Sequence, residues 1–113
     1  MRTTSIAETT KRDVYGAVEE ALIRLEYAVV DHDYKLGYIL AQKQLSRFAF
    51  AREIIIDIHP TGDGAMRMVV NMRSIGIQIV NWESNKQCEQ QLVDEVLSLL
   101  DEEEAQLVDT NNV

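Results

Sequence analysis

Apolar positions along the chain change period several times, and each change marks an element. Val14, Ala17, Val18, Ala21, Leu22 and Leu25 recur at helical spacing and form one continuous face. Lys11, Arg12, Glu19, Glu20 and Arg24 lie mostly off that face, so the spacing predicts helix one over 11–26. Thr10 is placed to cap it, with Asp13 three residues on completing an approximate capping box. Residues 27–31 and 38–43 then read as strands, rich in aromatic and β-branched side chains. The polar run from His32 to Gly37 between them makes a hairpin the natural join. A longer strand over 48–59 follows, in which Phe48, Phe50, Ile54, Ile56 and Ile58 share a parity. Pro60, which cannot donate to a ladder, ends it.

Thr61-Gly62-Asp63-Gly64 turns the chain back. Met66, Met68, Val70 and Met72 then alternate with Arg67, Val69, Asn71 and Arg73, a half-buried strand with one basic face. Gly76 reads as a bend before 77–80. Helix two is expected from Ser84 or Asn85 to about Asp101. Cys88, Leu92, Val96 and Leu99 hold its stripe, and Val93, Leu97 and Leu100 widen it. Residues 1–9 show no period. The predicted order is α-β-β-β-β-α, an α+β domain: a four-stranded antiparallel meander with both helices on one face.

The length of 113 residues fits one domain. The expected organisation is a flexible lead-in over 1–10, the folded domain over 11–104 and an acidic, polar tail over 105–113. Charge is distributed unevenly. Residues 1–82 balance to zero, whereas residues 83–113 carry the whole net charge of −8 and hold Lys86 as their only base. An acidic end of that size repels phosphate, which argues against a nucleic-acid partner. No apolar run approaches the length of a membrane span. No signal peptide is read at the start of this sequence, so a cytoplasmic location is the direct expectation.

Candidate chemistry is sparse. Asp31-His32-Asp33 fails as a calcium loop, because Lys35 and Leu36 stand where an oxygen ligand and a glycine are needed. On a strand, Asp31 and Asp33 face away from His32. His59 and Asp63 form a second polar cluster around the Gly62–Gly64 turn, but no phosphate-loop lysine or following helix accompanies them. Cys88 reads as a small buried hydrophobe, since its neighbours Gln87 and Glu89 supply no electropositive setting. Glu89 itself reads as a tolerant surface position. No catalytic residue, metal set or cofactor is expected. Arg67, Val69 and Arg73 on the outward face of their strand, with Trp82 at the strand–helix corner, are the expected partner-binding surface.

The succession of Leu25-Glu26-Tyr27-Ala28-Val29, the Asp31…Gly37-Tyr38-Ile39 hairpin, the Ile54…Ile58-His59-Pro60-Thr61-Gly62-Asp63-Gly64…Met66–Val70 unit and the closing helix around 90–100 resembles the small helix-grip domains of bacterial envelope lipoproteins. The C-component lipoprotein of the outer-membrane β-barrel assembly machine belongs to that group. The chain departs from it in having no lipobox cysteine near the start. The resemblance implies a non-catalytic assembly role, and a periplasmic or envelope location if a leader was removed. The expected function is thus a protein-interaction or assembly module, including self-association through the open sheet face or a strand edge. Two alternatives stand beside it. One is a small-molecule-binding or enzymatic domain with a pocket between sheet and helices. The other is an acidic, dimeric, chaperone-like protein similar in size and composition to type III secretion chaperones.

Overall fold

A computed structural model describes residues 1–44, 51–75 and 82–111 of the chain. The elements run β1 (Arg2–Ile6), α1 (Lys11–Arg24), β2 (Ala28–Asp33), β3 (Tyr38–Gln44), β4 (Ala51–Pro60), β5 (Met66–Ile75) and α2 (Trp82–Asn111). The five strands form one antiparallel sheet in the order β1-β5-β4-β3-β2, and both helices lie against one of its faces. The α+β class, the β2–β5 meander and the single helical layer are as the pattern predicts. Expectations placed on Phe48, Phe50, Gly76 and residues 77–80 lie outside the described residues.

Two boundaries differ from the sequence reading. Residues 2–6 of the expected lead-in form β1, which pairs with β5 from Arg2 opposite Val70 to Ile6 opposite Met66. A strand whose hydrogen bonds all come from a partner far along the chain, and which buries only Ile6, carries almost no local signal. The second helix begins at Trp82 and continues to Asn111, past the expected end near Asp101. Asp101–Glu104 therefore sit inside a helix rather than at its negative terminus, where their charges would be least favourable.

Helix α1 is held at both ends as its sequence dictates. The Asp13 N–H donates to the Thr10 hydroxyl at 3.2 Å, satisfying an orphan donor of the first turn. At the other end the Tyr27 N–H reaches the Leu22 carbonyl at 2.8 Å and the Glu26 N–H reaches Ile23 at 3.0 Å. This bond pair places Glu26 in the left-handed region at φ 67°, a site usually given to glycine. The α1 stripe buries Val14, Ala17, Val18, Ala21 and Leu22, and also Tyr15. Tyr15 packs edge-on to Tyr34 of the β2–β3 hairpin with ring centroids 5.1 Å apart. Helix α2 buries Leu92, Val93, Val96 and Leu99, while Cys88, Leu97 and Leu100 pack at the margin.

Between these helices and the sheet lies a dry aliphatic layer. Val14, Val18, Leu22, Ile39, Ile54, Ile56, Ile58, Met68, Val70, Leu92 and Val96 are all 0% exposed. None keeps surface that a water molecule could touch, so no water-sized void borders them. Each such side chain contributes on the order of 1.5–3 kcal/mol on burial. The β2–β3 hairpin is pinned to this layer at Gly37, where the Ile58 N–H donates to the Gly37 carbonyl at 2.7 Å. Gly37 has φ 70°, and a Cβ there would lie 2.1 Å from the Ile58 carbonyl oxygen, so only glycine fits.

Candidate binding surface

The sheet face turned away from the helices is built by strand alternation and cross-strand register. On β5 the outward residues are Arg67, Val69, Asn71 and Arg73, opposite His59, Asp57, Ile55 and Glu53 of β4. Tyr38, Leu40 and Gln42 of β3 continue the same rows, followed by Asp33, Asp31 and Ala28 of β2. No described helix packs on this face. Its centre is half-buried and partly apolar (Val69, Ile55, Leu40, Tyr38), while Arg67 and Arg73 stand exposed along β5. The face is basic on the β5 side and acidic on the β2 side.

Arg67, Val69 and Arg73 are thus brought together as the alternation implies. Trp82 is the first residue of α2, and its side chain lies outside what is described. Arg73 is already engaged: its Nε donates to Oε2 of Glu53, which is only 4% exposed beneath it. The Gln42 side chain adds a bond to the same carboxylate at 3.5 Å. A buried acid on an otherwise open face requires such partners, because an unpaired buried carboxylate is costly.

His59 and Asp63 serve different ends. His59 is exposed at the end of β4, directly across from Arg67. Asp63 turns its carboxylate into its own loop, accepting from the Thr61 hydroxyl and from the Ala65 N–H at 3.3 Å. Those hydrogen bonds, the Thr61 bond foremost, hold its carboxyl below the ordinary carboxylate value. Its chemistry is that of a turn. Among the described residues no group of three or more His, Cys, Asp or Glu converges to hold a metal ion. Nor, among them, is any helix long and apolar enough to cross a membrane.

Two side chains on α2 depart from their sequence reading. Cys88 is half-buried, and the Arg52 guanidinium of β4 donates to its sulfur. The positive charge that Gln87 and Glu89 do not supply comes from across the sheet. Tyr27 completes this corner. Burial raises its phenol above the ordinary 10.0, the neighbouring Cys88 raises it further, and Arg52 opposes the shift. Lys43 covers the Tyr27 ring at 5.4 Å and donates to the Leu25 carbonyl at the end of α1. Glu89 is not a surface residue: it is 2% exposed, and its Oε2 accepts the Met72 N–H at 2.9 Å. Helical periodicity places Glu89 beside the apolar stripe, but the backbone donor it serves belongs to another element. No local pattern could have announced that bond.

No family model matches the sequence, and no curated protein matches it. Solved structures do. The chain is similar to a chain in the crystal structure of the adenylate sensor from AMP-activated protein kinase in complex with 5-aminoimidazole-4-carboxamide 1-beta-D-ribofuranotide. The TM-score is 0.66 at 13% identity, covering 84% of this chain and 94% of that one. The same sensor complexed with ATP gives a TM-score of 0.57 at 12% identity, over 80% of this chain and 91% of the other. At these identities the likeness shows the fold.

Proposed function

We propose that this chain is a non-catalytic regulatory binding module, of the kind that works in small-molecule sensing, with adenine nucleotides as the first ligand class. The observation that supports this is the likeness of the fold, over nearly the whole of the neighbouring chain, to structures of an adenylate sensor in complex with nucleotides. The filled interior changes where a ligand would sit. The fully buried side chains leave no room among themselves, so a ligand held between sheet and helices would sit beside that aliphatic layer rather than within it. Reaction chemistry has little support, since the polar clusters around Asp31 and Asp63 are turned to hairpin structure.

The test is a thermal-shift and calorimetric titration with AMP and ATP, with and without magnesium. A ligand at a hundred times its Kd stabilises the folded state by about 2.7 kcal/mol, which is readily seen as a rise in Tm. If neither nucleotide moves Tm at concentrations up to about 10 mM, the small-molecule reading fails.

A second reading, a protein-assembly module, is favoured by the open sheet face with its apolar centre and flanking charges. It is also what the resemblance to envelope lipoprotein domains implies. Cross-linking in cells, compared between the native chain and Ile55→Lys, tests it. Unchanged cross-links would remove the open face from consideration.

A further inference from the structure

We infer that the open sheet face binds a second copy of this chain, in a two-fold arrangement that sets the β5 side of each protomer over the β2 side of the other. The inference rests on the protein-assembly reading and adds the identity of the partner. It starts from the register. Across the face the strands run β5, β4, β3, β2, with Arg67 and Arg73 on the first and Asp31 and Asp33 on the last. Leu40 of β3 and Ile55 of β4 are cross-strand partners in the middle.

A two-fold axis parallel to the strands, running above the β3–β4 seam, exchanges left and right while keeping the strand direction. It carries the arginines of one protomer over the aspartates of the other, and Leu40 over the partner's Ile55. The face is therefore complementary to itself, in charge and in apolar contact, as an isologous interface demands. Each arginine meets an aspartate one row away in register, about two residues or roughly 7 Å along the strand, within the reach of its side chain.

Size fits a modest dimer. Strand residues at about 3.3 Å rise and 4.8 Å spacing give a face on the order of 600 Å² per protomer, the low end of a standard interface. Micromolar association is the corresponding expectation. Edge pairing through β2 is the less suitable route. The β2–β3 register shifts between Val29 and Asp31, and the Asp31 carboxylate takes the His32 N–H at 2.9 Å. A bulge and a self-satisfied donor blunt that edge, and two copies of Asp31 and Asp33 would repel across it.

Sedimentation velocity and native mass spectrometry on the nucleotide-free full chain, from micromolar to near-millimolar concentration, test the inference. A concentration-dependent dimer is expected, weakening at high salt. Ile55→Lys and Leu40→Lys, both at half-buried outward positions, should each weaken it at least tenfold while circular dichroism stays native. Arg67→Glu and Asp33→Lys, one row apart across the two-fold, should each weaken it, and the double variant should recover much of the loss. A monomer throughout the range overturns the inference but leaves a different protein as the partner of this face, which the cellular cross-linking decides separately. A dimer that survives both lysine variants, with the fold intact, overturns it as well.

Discussion

Glu26 holds a backbone conformation that an L side chain adopts at a cost, and it does so because the end of α1 needs a left-handed residue there. Glu26→Gly should therefore stabilise the protein by about 1 kcal/mol, read as a rise in the urea midpoint with an unchanged slope. A destabilised variant would mean that the glutamate side chain contributes something the backbone geometry does not reveal. Glu89 points the other way. Replacing it with alanine strands the Met72 N–H in the interior and should cost about 1–3 kcal/mol, where a surface glutamate would cost nearly nothing. Tyr15 and Tyr27 both have phenols raised above 10.0, burial being the leading cause in each. A raised acid pKa in the folded state gives stability that is fully present below pH 10 and is lost as pH climbs through the folded value. Denaturation midpoints should thus fall above pH 10, and the joint change Tyr15→Phe and Tyr27→Phe should flatten that fall; an unchanged pH profile would count against it. Cys88 shows where sequence reading stops. Its neighbours in the chain are known, but Arg52 reaches it only because the fold brings β4 within side-chain reach of α2.

At the level of elements, what was legible was whatever a repeating pattern could carry. The α1 stripe, the alternation of Met68, Val70 and Met72, and the paired turns at Gly37 and Gly62 each place a whole element with one face inward. Leu22→Ala and Leu92→Ala should each cost about 2–5 kcal/mol in chemical denaturation, because both side chains are wholly enclosed between helix and sheet. Tolerance at either position would break the assignment of its helix face. Elements that depend on distant partners were not legible in the same way. β1 has Arg-Thr-Thr-Ser-Ile and no alternation of its own, so only the β5 edge makes it a strand. The outward face was readable as a list of residues, whereas its dipolar layout needed the order β1-β5-β4-β3-β2.

At the scale of the whole molecule, α2 outruns the body it packs on. Thirty residues of helix span about 45 Å, against about 33 Å for the ten-residue strands. The result is an elongated particle of 53 × 30 × 24 Å with a radius of gyration of 15.2 Å. A compact chain of this length would give about 13 Å. Small-angle scattering should return the larger value, and removal of residues 105–113 should bring it down without loss of the fold. A full-length value near that of a compact chain would mean that α2 folds back. The pairing of β1 with β5 also fixes an order in time. Arg2 must wait for Val70, which leaves the ribosome only after all the intervening residues have followed it. The β2–β5 hairpins close over short loops and can form first, so β1 docks last and, in hydrogen exchange, should open first. A segment that spends its early life unpaired is a hazard if it is sticky. Only one of the five residues from Arg2 to Ile6 is a large apolar one, a composition suited to waiting in solution without aggregating.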